Sequence, residues 1–539
     1  MDITSHIMWA LDMLPLVALY GFSIMIALVL FAVGYRAILH PLSKYPGPFI
    51  AKLSNGYSGY HALKQDLHLV TYRDYLKYGS VFRHAPNRLV FNTATAVRDI
   101  YLNPGVNKAR IYEKTQFNPQ KNIFGTLDRE RHRQKRKIYG QVLSDRSLRT
   151  FEPTMSKEID AFLGQLLKMG GKPANMSLLC ERLTADVAGN LAFGQQLHTL
   201  LIFSVCGLYS LRVAKIYRLA PFLSSVIRLL IVHVVTWPNL SVIWPIFSRL
   251  YRKSGRAFSD TIRDIIQKRM ALPKDAKHDF YSVATSDPVL ENENLRQSEL
   301  WAEAVFIMPA GGATTPAALS ALFFYLSRHP TVYARLAREI RTTFAETAIQ
   351  SGPQPVGCTY LRAVIDETLR VAPPFLGTFW REPHASYTEP FIVDGHVIPQ
   401  GTAVGVSPYC LMHNEAYFPE PFEFRPERWL GSEEQRAAMR GAFAPFALGD
   451  TGCLGKSMAY LEISLVIAKT LWYFDFEKAP GEAGKLGEGE VERVNGRGRT
   501  DEYQLRDLAV AGHDGPNLGF KPRGDYWKAL INDEVKVKV

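Results

Sequence analysis

The residues best equipped for chemistry in this 539-residue chain lie in Phe446-Ala-Leu-Gly-Asp-Thr-Gly-Cys-Leu-Gly455, which runs straight into the helical pattern Lys456–Glu462. Gly449, Gly452 and Gly455 let a backbone approach a flat ligand closely. Cys453 stands just before a helix start, where the dipole and the free N–H groups favour a thiolate. That leaves two readings of Cys453: a small buried apolar side chain, or a metal ligand held in a glycine-rich loop. Two charged pairs at helical spacing accompany it. Glu367 and Arg370 lie at i,i+3, and His132 and Arg136 at i,i+4. On spacing alone the first is a surface ion pair worth a few tenths of a kcal/mol, and the second a solvated basic helix.

The loop is similar to the haem-binding loop of the cytochrome P-450 superfamily, Phe-x-x-Gly-x-Arg-x-Cys-x-Gly. Three further motifs follow that family's order. Glu367-Thr-Leu-Arg370 resembles its Glu-x-x-Arg, Phe424-Arg-Pro-Glu-Arg-Trp429 the segment whose arginine (here Arg428) completes a buried network, and Ala310-Gly-Gly-Ala-Thr-Thr315 the central helix crossing the haem. The likeness spans about residues 35–525, and the hinge His40-Pro-Leu-Ser-Lys-Tyr-Pro-Gly-Pro48 resembles fungal members. The resemblance implies haem b with Cys453 as axial thiolate, which favours O–O cleavage. It implies Phe446, Gly449 and Gly455 around the haem, propionate contacts from His132, Arg136 and Arg381, a structural network of Glu367, Arg370 and Arg428, and a catalytic role for Thr314 and Thr315. Arg131, Arg133, Lys135 and Lys137 would point away from the haem and could receive an acidic reductase.

Two departures stand out. The haem-loop arginine is Thr451 here, beside Asp450, so a propionate loses a guanidinium. The acid that usually precedes the threonine is Ala313, so the relay that delivers protons to bound oxygen lacks its general acid. Pro316 would add to a local helix opening.

The elements that must position these residues can be read from pattern. Apolar residues recur at helical spacing over 129–145, 155–168, 178–194, 246–271, 298–328, 330–350, 360–371 and 455–473. Asp394-Gly395 signals a hairpin. Length alone would suggest three or four domains of about 150 residues, but no repeat or long linker divides the chain. The expected fold is mainly α with a minor β component, one large domain over 49–525 with a tail at 526–539. Hydrophobic residues make up 47% and charged residues 21%, which excludes disorder and fibrous classes. The formal charge is +12, but basic residues are scattered, which argues against nucleic acid and for an acidic protein partner or anionic lipid.

Leu14–Val33 holds no charge and is long enough to span a bilayer. Residues 1–13 contain no Lys or Arg, whereas Arg36, Lys44 and Lys52 follow the span. The positive-inside bias then puts 1–13 in the lumen, 14–34 in the membrane, a Pro/Gly hinge at 35–48, and the body in the cytosol. The expected location is the endoplasmic reticulum membrane, single-pass. Sequons at Asn175 and Asn239 would go unused. Five widely spaced cysteines make neither a disulfide framework nor a zinc site. Residues 200–248 are greasy, with Trp237 and Trp244, and suit a core helix pair or a surface dipping into the bilayer.

The expected activity is that of a haem-thiolate monooxygenase. It would take electrons from NADPH through a separate flavoprotein reductase and insert one atom of O2 into an apolar terpenoid, polyketide or alkaloid. The alternatives are a haem-thiolate enzyme that desaturates, cyclises or rearranges its substrate, and an impaired membrane-anchored homologue that acts as a binding protein.

Overall fold

The computed structural model describes residues 3–115, 120–194, 263–273, 276–284, 293–344, 349, 357–508, 510–528 and 530. The stretch 200–248, Asn239 and most of the helix expected over 246–271 lie outside the described residues.

Helix α1 (Ile3–Gly34) includes the apolar run. Residues Pro15–Leu39, with mean hydropathy 2.6 and no burial, are long and apolar enough to cross a membrane. The helical path continues through a wider turn at Tyr35–Leu39 and stops at His40, ahead of Pro41. Arg83, fully buried, donates from Nη1 to the Arg36 carbonyl at 2.9 Å and so ties the end of the apolar helix to the globular body.

The body is built on α2 (Arg129–Val142), α3 (Asp145–Lys168), α4 (Met176–Phe193), α5 (Glu293–Arg328), α6 (Pro330–Thr343), α7 (Thr359–Val371) and α8 (Lys456–Tyr473). Helix α3 starts ten residues before the expected 155. The Ser144 hydroxyl caps it by accepting from the Ser147 N–H, and Pro153 sits inside it. Burial of Leu148, Phe151, Met155 and Ile159 offsets the hydrogen bond that a proline removes. Leu163 of α3, Val187 of α4, Leu319 and Leu322 of α5 and Val466 of α8 are all fully buried in one core. Residues Phe306–Arg328 of α5 are apolar enough to pass for a second membrane span, but most of that stretch is buried inside the body.

The minor β component comprises β1 (Val81–Ala85), β2 (Arg88–Phe91), β3 (Val106–Lys108), β4 (Ala174–Asn175), β5 (Arg381–Pro383), β6 (Ile392–Val393), β7 (His396–Val397), β8 (Ala403–Val406), β9 (Phe474–Lys478), β10 (Arg506–Leu508), β11 (Val510–Gly512) and β12 (Asn517–Pro522). The largest sheet has the order β1-β2-β8-β5-β3. β2 and β8 are parallel, and β5 runs antiparallel to both β8 and β3. The hairpin at Asp394-Gly395 joins β6 to β7, with φ of +50° and +76° at its two turn residues. The result is a helical body with small sheets, as the sequence pattern implied.

Candidate functional site

The Cys453 loop folds back on itself. The Cys453 N–H donates to the Phe446 carbonyl at 2.7 Å, and the Gly452 N–H to Gly449 at 2.9 Å. Gly449 has φ +69°, and an added Cβ would lie 2.1 Å from the Tyr101 carbonyl, so only glycine fits. The demand there comes from the neighbouring chain at Tyr101, which the sequence did not indicate. The Phe446 ring packs 5.3 Å from that of Tyr460. Gly455, the N-cap of α8, has an ordinary φ of −82°.

Exposure separates the two readings of this cysteine. Cys180, Cys358 and Cys410 are buried, whereas Cys453 is exposed. Protein crowded around the thiol still raises its pKa, against the pull of the Gly455 N–H, Arg136 and Lys456. A thiol that is accessible yet crowded by protein can still take a ligand. A structural apolar cysteine would be covered.

Behind this loop Glu367 is fully buried and accepts from five donors. Arg370 donates twice, from Nε to Oε2 and from Nη2 to Oε1, both at 2.9 Å. Arg428 Nε reaches Oε1 at 3.0 Å, Trp429 Nε1 reaches Oε2 at 3.0 Å, and the Arg425 N–H reaches Oε1 at 2.9 Å. Burial alone would raise the Glu367 pKa, but Arg370 and Arg428 outweigh it and hold the carboxyl below its usual range. Arg370 spends its remaining N–H groups on the carbonyls of Met412, Pro421 and Glu423. The pair is therefore buried, and it braces the segment 412–429 that leads into the cysteine loop.

Basic groups gather beside the cysteine loop. Arg136 Nη1 donates to the Gly452 carbonyl at 2.7 Å, and Arg381 Nη2 to the Thr451 hydroxyl at 2.7 Å. Lys108 on β3 stands directly across from Arg381 on β5, an arrangement of like charges that ordinary sheets avoid. Burial, then Arg381, pushes the Lys108 pKa down to about 7. Burial, then Lys108 and Arg136, pushes His132 down to about 4, so its ring is neutral at pH 7. Asp450 offers little relief, because its side chain is 84% exposed and faces Arg129 at 3.7 Å. Several basic side chains crowded together beside the loop make a site for carboxylates. A haem presents two propionates and an iron that takes a thiolate, so the donor set fits that group.

The middle of α5 is less covered than the stretch of the helix that follows it. Ala317 to Leu326 are buried, but Ala310 to Thr314 stay half-buried inside the same helix. The Thr314 hydroxyl donates to the Ala310 carbonyl at 2.7 Å, and Thr315 is buried. The helix remains continuous past Pro309 and Pro316. Pro316 deprives the Gly312 carbonyl of its helical donor, and the Thr184 hydroxyl of α4 approaches that carbonyl at 3.5 Å.

Lys135 corrects one expectation. It does not face outward with Arg133 and Lys137, which are exposed, but is buried and paired with Glu303 of α5 at 2.7 Å. The wheel position beside His132 already placed it on the inner flank. Two site residues escaped the sequence reading, Lys108 and Glu303. A lone carboxylate in the apolar run Leu300–Met308 was the available signal for Glu303. Lys108 carried none.

Comparison with known proteins agrees with this geometry. The cytochrome P-450 family profile matches residues 46–491. The chain is 33% identical to the cytochrome P-450 monooxygenase poxM of Penicillium oxalicum over 90% of its own length and 91% of that protein. It is 32% identical to the monooxygenase atnE of Emericella nidulans, covering 93% and 95% of the two chains. A similar relation, 32% over 94% and 98%, holds with apf7 of Gibberella fujikuroi. With an exposed cysteine beside clustered basic groups and a match over most of its length, this chain belongs to the cytochrome P-450 family, enzymes with a haem-thiolate iron cofactor that act as monooxygenases.

Proposed function

We propose that the Cys453 thiolate would hold the haem iron and that the protein inserts one atom of O2 into an apolar natural product, a terpenoid, polyketide or alkaloid. The observation that carries this reading is the exposed Cys453 thiol, with Arg136 and Arg381 bonded to the two residues preceding it. His132, Arg136 and Arg381 hold the propionates, and Lys108 adds a fourth basic group. The thiolate-ligated haem supplies the activation of O2. The half-open stretch Ala310–Thr314 then positions substrate and water beside it. Thr314, bonded to the Ala310 carbonyl, keeps its oxygen lone pairs available to hold a water. Ala313 contributes no acid, so the proton for oxygen activation arrives by water or from the substrate itself.

Electrons come from NADPH through a flavoprotein reductase, which docks on exposed basic residues such as Arg133 and Lys137. The apolar helix anchors the chain once in the endoplasmic reticulum membrane, with the catalytic body on the cytosolic side, as the positive charges after the span direct. The anchor and lipid contact suit a substrate that partitions into the bilayer. Reconstitution with reductase, NADPH and labelled O2 tests the reading. Retention of one labelled oxygen atom in the product supports it, whereas an unlabelled desaturated or rearranged product would favour the other haem-thiolate chemistry.

A further inference from the structure

Near the N-terminal end of α5, Glu303 is 2% exposed and joins three separate pieces of chain. Its Oε1 accepts from Lys135 Nζ on α2 at 2.7 Å, and the Lys135 side chain is 4% exposed. Its Oε2 accepts from the backbone N–H of Ile123 at 3.1 Å. One carboxylate thus fixes both the helix that carries His132 and Arg136 and the loop 120–127.

That loop is gripped from its other side by β3. Lys108 Nζ donates to the carbonyls of Ile123 and Phe124, at 2.9 and 2.8 Å, and Asn107 Nδ2 donates to Leu127 at 2.6 Å. The Phe124 ring is stacked on Phe306 of α5, with centroids 5.1 Å apart and 19° between planes. Tyr112 meets the same ring edge-on at 5.0 Å. Phe306 precedes Ala310 and Thr314 by one and two helical turns, so the stack adjoins the half-open stretch of α5. Both phenylalanines are themselves half-buried.

We propose that Glu303 is a positioning residue that clamps the loop 120–127. It thereby holds the Phe124–Phe306 stack as a wall of the substrate chamber, which admits apolar molecules by size. This rests on the reading of the Cys453 site as the haem site. What the loop contact needs from residue 303 is an oxygen acceptor, because the Ile123 N–H can only donate. A lysine at 303 could keep an ion pair with an acid at 135 but could accept nothing from Ile123.

The test uses the full-length haem-loaded protein, hydrogen exchange of the segment 120–127, and optical titration with imidazole and with the bulkier 1-phenylimidazole. In the charge-swapped variant Glu303→Lys with Lys135→Glu, loop exchange should accelerate by about tenfold or more, the factor carried by a charge-assisted hydrogen bond. Exchange elsewhere should match wild type, and relative affinity for the two azoles should shift several-fold. Glu303→Gln keeps a carbonyl acceptor and should preserve loop protection. Phe124→Ala leaves the buried pair untouched and should shift the azole ratio alone. The proposal is overturned by a swapped variant whose loop exchanges like wild type, by a Gln variant that loses protection equally, or by Phe124→Ala leaving the azole ratio unchanged. An azole-insensitive wild type with the expected exchange pattern would overturn the chamber reading and the selection by size while sustaining the clamp.

Discussion

Arg381 donates to the Thr451 hydroxyl at 2.7 Å, so the loop position at which the sequence resemblance implied an arginine is joined here to an arginine on β5. The contact holds the Arg381 guanidinium against the cysteine loop, with Lys108 across the strand from it. Two cations of the sheet thus stand beside the loop position that lacks the expected arginine.

Thr451→Val removes that acceptor and frees Arg381 Nη2. A hydrogen bond to a charged group is worth about 1.5–3 kcal/mol, so haem transfer to an apo-globin acceptor should speed up by roughly tenfold or more. Thr451→Arg restores a guanidinium and should slow the same transfer. Unchanged rates in both variants would mean that Arg136 and the other basic groups already satisfy the propionates.

Glu367→Ala strips five hydrogen bonds from a fully buried carboxylate and leaves Arg370 and Arg428 without their counter-charge. Loss of one partner in a buried pair typically costs about 3–5 kcal/mol. The yield of haem-loaded protein and the urea midpoint should both fall sharply. Wild-type values for both would contradict a structural role for the network.

Glu462 on α8 is buried with Oε1 unpaired, and burial pushes its pKa up to about 8 from 4.5. The folded state therefore binds this proton more tightly than the unfolded chain does. Stability is lost as pH rises from about 4.5 toward 8 and levels off above that. Glu462→Gln should raise stability near pH 7 by on the order of 3 kcal/mol and flatten its pH dependence. Parallel urea melts at pH 5 and pH 8 test this, and a Gln variant no more stable at pH 8 than wild type would refute it.

Ala313→Asp places a carboxylate one residue from Thr314. A positioned general acid contributes about 10²–10⁴-fold, and an engineered one far less. If proton delivery limits a hydroxylation, the variant should yield more product and less peroxide per NADPH consumed. If wild-type coupling is already high and aspartate lowers it, the apolar residue is an adaptation, and the rearrangement or desaturation chemistry gains.

Local spacing carried much of this site. Glu367 and Arg370 sit one helical turn apart, so their pairing was visible in the sequence, and Cys453 was marked by its glycine-rich loop ahead of a helix. Contacts between distant segments were not visible. Glu303 and Lys135 are 168 residues apart in the chain, and no local pattern links them. Lys108 faces Arg381 only because two short strands pair in one particular register. The early start of α3 was hidden by Pro153, which reads as a breaker until the burial of Phe151 and Met155 is known.

The account stands on Cys453 as the iron's ligand, and the carbon-monoxide difference spectrum of the reduced protein tests this most directly. Wild type should show the long-wavelength band of a thiolate-ligated haem, and Cys453→Ala should lose both that band and turnover. A Cys453→Ala variant that kept the thiolate-type band would contradict the assignment.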